Sequence, residues 1–261
     1  MGPLRNAYLD ALGIDRWVPR NAPAEVAPVA EVASEVAPPA SARATPPATR
    51  ADTAPAPAPS PSPSTWTPLP PVADWGVLRE RVAGCMACDL CKTRTQTVFG
   101  VGNQRAEWLV IGEAPGAEED RQGEPFVGRA GQLLNAMLMA IGLPRETVFI
   151  ANILKCRPPA NRDPKPEEVS KCLPYLTNQI ALLKPKIMLA VGRIAAQNLL
   201  ATDAPLARLR GKLHHFGEAN TPLVITYHPA YLLRTPSDKR RAWEDLKFAR
   251  ATYARLADGN A

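Results

Sequence analysis

The chain has 261 residues, of which 31 are Lys or Arg and 25 are Asp or Glu, so its net charge is +6. Residues 1–72 carry 5 basic and 6 acidic side chains, whereas the remainder carries 26 and 19, so the positive charge belongs to the C-terminal part. No apolar run approaches the roughly 18 residues of a membrane-spanning helix, which excludes a helical membrane protein. A basic globular domain is typical of proteins that bind polyanions such as nucleic acids, although a generally basic surface gives the same count.

The first twenty residues carry apolar and aromatic side chains at a spacing that predicts a short amphipathic turn or helix: Tyr8, Leu9, Leu12, Ile14 and Trp17. They lack the uninterrupted apolar stretch and the small-residue cleavage site of a signal peptide, so we expect a cytoplasmic protein. Residues 1–20 are either a docking motif for a partner protein or a frayed apolar end. Docking is favoured because exposed Tyr and Trp side chains otherwise reduce solubility.

Residues 21–72 consist mostly of Ala, Pro, Ser, Thr and Val and contain 14 of the 29 prolines. The segment has no apolar period, and Trp66 is its one aromatic residue. Proline-rich chain of this kind favours extended, solvated conformations and cannot bury a core. We therefore predict a disordered linker, followed by one folded domain over residues 73–261.

The folded part alternates short apolar runs with helical patterns, which predicts an α/β fold. The runs predicted as strands cover residues 107–112, 147–154, 186–192 and 222–228. The helical patterns cover residues 130–143, 165–184, 193–200 and 237–256, and Pro174 is expected to break or kink the second. We expect a three-layer α/β/α sandwich with a central four-stranded, mainly parallel sheet. In such sheets, ligands bind beyond the carboxyl ends of the strands.

All five cysteines lie in the folded part: Cys85, Cys88, Cys91, Cys156 and Cys172. Because the chain has no export signal, structural disulfides are not expected. Four thiolates from two distant segments suit zinc or an iron–sulfur cluster. A zinc ribbon usually has two C-x-x-C pairs, whereas Cys156 and Cys172 are sixteen residues apart, which favours iron–sulfur.

Three segments with polar and glycine residues follow the predicted strands. They are "GEAPGAEEDRQGEPFVGRAGQLL" from Gly112, "NILKCRPPANRDP" from Asn152 and "HPAYLLR" from His228. The carboxyl ends of parallel strands meet at one edge of a sheet, so we expect Glu113, Asn152 and His228 to share a site.

These segments, with the C-x-x-C motif upstream, resemble the family 4 uracil-DNA glycosylases, the iron–sulfur type, over about residues 85–246. The resemblance implies a uracil-DNA glycosylase-like fold and a 4Fe–4S cluster bound by Cys85, Cys88, Cys156 and Cys172. Cys91 is then a spare thiol. Zinc is the alternative that the spacing alone leaves open.

The resemblance implies an enzyme that flips uracil out of DNA and hydrolyses its N-glycosidic bond, leaving an abasic site for base-excision repair. Phe126 would stack on the base, Asn152 would pair with its polar edge, and Glu113 would lie beside C5. His228 and the backbone of residues 112–114, Gly112 to Ala114, would stabilise the charge that develops on uracil O2.

The residue that activates water is left open by the sequence. Ala114 stands where an Asp activates water in the best-known uracil glycosylases. The remaining candidates are Glu118, Glu119 and Asp120, or the cationic sugar captures weakly activated water.

Candidate DNA contacts surround the same sheet edge. Leu232 and Leu233 are predicted to fill the gap left by the flipped base. Five arginines are predicted to contact phosphates: Arg129, Arg157, Arg162, Arg193 and Arg234. We expect a monomer acting in a bacterial-type cytosol or nucleoid.

Two alternative functions fit the same segments. A glycosylase of shifted base range, for hypoxanthine or xanthine, is left open by Ala114. A non-catalytic iron–sulfur protein that binds DNA or senses redox state would share the fold. The presence of Glu113, Phe126, Asn152 and His228 argues against this second alternative.

Overall fold

A computed structural model describes residues 70–257 of the chain. The amphipathic peptide predicted at residues 1–20 and most of the linker predicted at residues 21–72 lie outside the described residues. Val72, at the end of that linker, donates its N–H to Asn178 Oδ1 at 3.0 Å. It also packs against the core, so the folded domain includes Val72. None of the helices within residues 70–257 has the length and apolar character needed to cross a membrane.

The predicted α/β sandwich is confirmed, and its sheet has six strands rather than four. The strands are β1 (Val101–Gly102), β2 (Trp108–Gly112), β3 (Phe149–Asn152), β4 (Ile187–Val191), β5 (His214–Phe216) and β6 (Thr221–Thr226). Their order across the sheet is β1-β3-β2-β4-β6-β5. The four central strands are parallel and coincide with the predicted ones. The two additional strands, β1 and β5, pair antiparallel at the edges.

Eight α-helices are found within residues 70–257. They are α1 (Trp75–Ala83), α2 (Ala117–Gln122), α3 (Arg129–Ala140), α4 (Pro166–Leu183), α5 (Arg193–Leu200), α6 (Leu206–Leu209), α7 (Pro229–Arg234) and α8 (Lys239–Ala257). Short 3₁₀ turns cover Asp89–Lys92, Arg145–Thr147, Pro159–Asn161 and Pro236–Asp238. The predicted break at Pro174 does not occur, because α4 runs through it. Leu173 and Leu176, on either side of Pro174, are buried in the core and hold the helix there.

The central strands are buried on both faces, as β2 shows. Leu109 and Ile111 belong to one apolar cluster, whereas Trp108 and Val110 belong to the other. The first cluster contains Leu78 of α1 and Leu176 of α4, and the second contains Leu134 of α3 and Leu246 of α8. Complete burial of one such leucine contributes about 1.5–3 kcal/mol. The packed sheet thus forms a rigid support for the loops at its carboxyl edge.

Candidate active site

The carboxyl ends of the four parallel strands open into a cleft of about 710 Å³. It is lined by residues 113–116 after β2, by Asn152 at the end of β3 and by residues 192–194 after β4. Tyr227 and His228, which follow β6, form another wall. Glu113, Phe126, Asn152 and His228, predicted to share a site, all line this cleft.

Asn152 is the most deeply buried polar side chain of the cleft. It is 2% exposed, and its backbone lies opposite Gly112 in the β2–β3 ladder. Its side-chain oxygen Oδ1 is buried and has no hydrogen-bond partner among residues 70–257. A buried acceptor without a donor costs about 1–3 kcal/mol, so the site is suited to a ligand that supplies an N–H or O–H group.

Gly112 makes room for the two side chains that form the floor of the cleft. A Cβ atom at this position would lie 2.4 Å from Asn152 Oδ1 and 2.6 Å from Phe126 Cζ. Both separations are shorter than van der Waals contact. Any side chain at residue 112 would therefore displace the Asn152 amide or the Phe126 ring.

Phe126 has a strained backbone that turns its ring into the cleft. Its φ of +54° lies in the left-handed region, which costs a bulky residue about 1–3 kcal/mol. Arg145 holds the turn by donating to the Pro125 carbonyl at 2.6 Å and to the Phe126 carbonyl at 3.3 Å. The centroid of the Phe126 ring is 5.7 Å from that of the His228 ring, with 32° between their planes. The arrangement offers an aromatic face beside the unpartnered amide of Asn152.

His228 is the N-cap of α7, and this role fixes its tautomer. Its Nδ1 accepts a hydrogen bond from the Ala230 N–H at 3.1 Å, so a neutral ring carries its proton on Nε2. Burial and, to a smaller extent, the charge of Arg234 lower the pKa of His228 to about 4, and Glu119 opposes this shift. At neutral pH the ring is therefore an uncharged donor through Nε2–H.

Glu113 combines burial with a neighbouring charge. Burial and, to a smaller extent, the charge of Asp163 raise the pKa of Glu113 to about 7, and Arg193 opposes this shift. Below pH 4.5 the carboxyl group is protonated in both the folded and the unfolded chain, so it does not lower the free energy of unfolding. As the pH rises towards 7, the unfolded chain releases the proton first, and the folded state loses stability.

Replacement of Glu113 by Gln is therefore expected to raise the melting temperature at alkaline pH but not at acidic pH. The variant has no carboxyl group to ionise within the cleft. It therefore avoids the loss of folding stability that the wild type undergoes between about pH 4.5 and about pH 7. Thermal denaturation on either side of this window measures the difference. Glu118→Gln is the matched control, because Glu118 is exposed and paired with Arg121. Equal shifts at acidic and alkaline pH for Glu113→Gln would contradict the expectation.

The three candidate water-activating carboxylates have different surroundings. Glu118 is exposed and paired with Arg121 outside the cleft. Asp120 is 4% exposed and accepts the Thr95 N–H at 3.0 Å, so it stabilises the loop before β1. Of the three, only Glu119 lines the cleft. Its oxygens accept three backbone N–H groups, from Gly116 at 3.1 Å, Val127 at 3.0 Å and Gly128 at 3.2 Å.

Three of the five arginines predicted to contact phosphate line the cleft: Arg162, Arg193 and Arg234. Arg162 donates to both oxygens of Glu168, at 2.9 and 2.5 Å. Arg193 pairs with Asp163 at 2.6 Å. Arg234 is exposed at the end of α7. The structure thus places two guanidinium groups that pair with carboxylates, and the exposed Arg234, around the cleft.

The other predicted contact residues are dispersed. Arg129 is exposed at the start of α3, and Arg157 donates from Nε to Asn161 Oδ1 at 2.8 Å. Neither lines the cleft. Leu233 is 37% exposed, whereas Leu232 is 1% exposed and packs in the core. The prediction that Leu232 fills a gap in the duplex is therefore wrong, since its side chain helps to fix α7 to the core.

The cysteines converge on a second, much smaller pocket, of about 10 Å³. It is lined by all five of them: Cys85, Cys88, Cys91, Cys156 and Cys172. Arg94 Nη1 donates to Cys156 Sγ at 3.0 Å, and the Lys155 N–H donates to Cys172 Sγ at 3.1 Å. Burial raises the pKa of Cys172 to about 12. Within residues 70–257, no set of three or more His, Cys, Asp or Glu side chains is arranged to hold a metal ion.

Several cleft residues were not predicted from the sequence. Asp163 pairs with Arg193, and its negative charge contributes to the raised pKa of Glu113. Tyr227 and Tyr231 stack with their centroids 5.2 Å apart and 14° between their planes. The position of Tyr231 within "HPAYLLR" was a usable signal, because an aromatic residue near a helix start beside a site often contacts ligand. For Asp163, the sequence gives no signal beyond its place in the loop after Cys156.

Comparison with known proteins gives one consistent result. The model of the uracil DNA glycosylase superfamily matches residues 99–247. A type-4 uracil-DNA glycosylase of Archaeoglobus fulgidus is 46% identical over 177 residues, covering 66% of this chain and 88% of that protein. Those of Pyrobaculum aerophilum and Thermotoga maritima are 43% and 40% identical, covering 65% and 67% of this chain and 89% and 92% of those proteins. The chain therefore belongs to the uracil-DNA glycosylase superfamily and, within it, to the type-4 family.

Proposed function

We propose that this chain is a uracil-DNA glycosylase, which flips uracil out of DNA and hydrolyses its N-glycosidic bond in base-excision repair. The supporting observation is the buried, unpartnered Oδ1 of Asn152 beside the Phe126 ring at the floor of the cleft. A flipped base brings both an aromatic face and a polar edge to such a site. The chain would act as a monomer on DNA in the cytoplasm.

The proposal is tested by excision from labelled oligonucleotides, followed by alkali cleavage of the abasic sites. Uracil opposite guanine, uracil opposite adenine and single-stranded uracil are compared with hypoxanthine and xanthine. Release of uracil supports the proposal, and release of hypoxanthine or xanthine alone would assign the shifted base range. Retention of every base would leave a DNA-binding role.

Asn152 would select the base through complementary hydrogen bonds. Its Oδ1 accepts from uracil N3–H, and its Nδ2 donates to uracil O4. Cytosine presents an acceptor at N3 and a donor at C4, so both partners would be left unpaired. A site built for one hydrogen-bond pattern rejects the opposite one by about 10⁴-fold or more.

Phe126→Ala is expected to reduce uracil excision about tenfold or more, because base–aromatic stacking contributes about 1–3 kcal/mol. Single-turnover kinetics on a uracil-containing oligonucleotide measure the effect. Phe126→Leu is the control, since it retains apolar volume without the aromatic face and should show an intermediate loss. Excision by Phe126→Ala at the wild-type rate would contradict the stacking role.

Bond cleavage places positive charge on the sugar and negative charge on the departing base. We propose that His228 stabilises the anion by donating from Nε2–H to uracil O2. The tautomer supports this role, because Nδ1 already accepts the Ala230 N–H. The backbone N–H groups of residues 112–114 would add to this stabilisation. A fixed donor in a site that excludes water contributes about 3–4 kcal/mol to such a transition state.

Water would reach the sugar cation without a strong general base. Ala114 supplies no carboxylate, and Glu118 and Asp120 are held outside the cleft. Glu119 lines the cleft, but its carboxylate oxygens accept three backbone N–H groups, so they are engaged by the surrounding loops and not directed at a water molecule. We therefore propose that Glu119 orients the cleft loops and that the cation captures weakly activated water.

The DNA backbone would be bound at the rim of the cleft. Arg234 is exposed there and is the strongest phosphate candidate. Arg193 and Arg162 could exchange their carboxylate partners for phosphates, since charge-assisted pairs form with either anion. Leu233 is the remaining candidate for filling the gap in the duplex.

The cysteine pocket would hold a 4Fe–4S cluster through Cys85, Cys88, Cys156 and Cys172. The chemistry of the donor set suits this group, because the four thiols line one pocket and two of the sulfurs already accept N–H hydrogen bonds. Such a cluster would supply cross-links between α1, the segment after β3 and α4. Cys91 lines the same pocket and would be the spare thiol. Absorption at about 400 nm with bound iron would support the cluster, and bound zinc in colourless protein would assign the alternative.

A further inference from the structure

Lys155 is a fully buried lysine that none of the roles above uses. Its side chain is 1% exposed. Its Nζ donates to the Asn152 backbone carbonyl at 2.8 Å and to Gln179 Oε1 at 2.7 Å. Burying an ammonium group is costly unless its donors are well paired, so this position is unfavourable for folding alone.

The Asn152 carbonyl accepts no hydrogen bond from a neighbouring strand among residues 70–257, and Lys155 Nζ donates to it instead. On the β2 side, Ile153 N–H donates to the Gly112 carbonyl at 3.0 Å, so the carbonyl of Asn152 points the other way. On that side β1 pairs only with Phe149 and Ile150. No strand within residues 70–257 therefore reaches the Asn152 carbonyl, and Lys155 Nζ supplies the missing donor.

Lys155 is itself held from three directions. Gln179, which accepts from Nζ, donates from Nε2 to the Phe99 carbonyl at 2.8 Å. The Lys155 carbonyl accepts the Val98 N–H at 2.8 Å. The Lys155 N–H donates to Cys172 Sγ at 3.1 Å. The end of β3 is thus connected to α4, to the segment preceding β1 and to the cysteine pocket through this one residue.

We propose that Lys155 is a positioning residue that holds the backbone of Asn152, and hence its side-chain amide, in register with the base. The inference rests on the proposed role of Asn152 in reading uracil. Asn152 Oδ1 has no protein partner, so the placement of the amide depends on its backbone and on its contact with Gly112. Loss of Lys155 would shift the amide without removing it.

The test uses Lys155→Met, which keeps the length of the side chain and removes its donors. We expect single-turnover excision of uracil to fall about 10- to 100-fold, because small displacements of a positioned group reduce rates by such factors. Inhibition by free uracil should weaken by a similar factor, since the same amide binds the free base. Iron content, circular dichroism and affinity for undamaged DNA should equal those of the wild type. Lys247→Met, an exposed lysine on α8, is the matched control.

A double-mutant cycle distinguishes positioning from a general structural role. If Lys155 acts through Asn152, adding Lys155→Met to Asn152→Ala causes little further loss of excision. An equal further loss in that background would overturn the proposal, as would wild-type excision and uracil inhibition by Lys155→Met. If Lys155→Met does not fold, Gln179→Met replaces it in the test, because it removes one of the two acceptors that orient Nζ. Uracil excision and inhibition by free uracil are measured on this variant, and wild-type values of both would overturn the proposal. Failure of the wild type to release uracil would instead refute the proposed function.

Discussion

Replacement of Asn152 by Asp or Ala is expected to reduce uracil excision about 10³-fold, the largest effect of any single change considered. Asp replaces the Nδ2 donor by an acceptor, so it repels uracil O4 and places a carboxylate in a buried site. Ala removes both hydrogen bonds and leaves the polar edge of the base unpaired. Single-turnover kinetics with enzyme in excess would measure the loss separately from product release.

The control for Asn152 is Asn198→Ala on α5. The Asn198 side chain donates to the Ile194 carbonyl of its own helix at 2.8 Å and does not line the cleft. This variant should excise uracil at the wild-type rate. Near-normal excision by both Asn152 variants would refute the base-reading role.

Replacement of His228 by Ala is expected to lower the excision rate about 10²- to 10³-fold and to leave DNA affinity nearly unchanged. The reason is that Nε2–H meets charge that develops only as the glycosidic bond breaks. Single-turnover rates and equilibrium binding to undamaged DNA would separate the two quantities. Equal losses in rate and affinity would indicate a binding role.

His228 also caps α7, so its removal affects stability as well as chemistry. Loss of an N-cap acceptor costs about 0.5–2 kcal/mol. His228→Asn restores a capping side chain without the imidazole, and it should recover the melting temperature but not the excision rate. His215→Ala is the control for losing an exposed imidazole. Recovery of excision by His228→Asn would show that the Ala variant fails through helix α7 alone.

The part of the fold that the sequence predicted is the part with strong periodic signals. Four apolar runs predicted the four parallel strands. The carboxyl ends of these strands predicted that Glu113, Asn152 and His228 lie at one edge of the sheet. The edge strands were missed because β1 has two residues, too few to show alternation, and β5 lies in a basic, histidine-containing stretch. Pro174 was misjudged because burial of α4 against the core holds the helix across the proline, although its missing N–H removes one helical hydrogen bond.

The unpredicted features of the site depend on contacts between distant segments. A lysine after a strand is ordinarily exposed, and the burial of Lys155 follows from acceptors on β3 and on Gln179 of α4. In the same way, the pair Leu232 and Leu233 gives no indication of which leucine faces the core. Tertiary packing decides that question, because it places Leu232 in the same apolar cluster as Leu133 and Leu134 of α3.

The two short antiparallel strands have a consequence for behaviour at high protein concentration. An exposed sheet edge offers unpaired N–H and C=O groups on which a second molecule can add a strand, and long flat edges promote aggregation. Here one flank ends in the two residues of β1 and the other in the three residues of β5. The parallel strands β3 and β6 lie directly inside these edges, and the short edge strands pair with only part of each. Edges as short as these are poor templates for intermolecular strand addition, which favours solubility at high protein concentration.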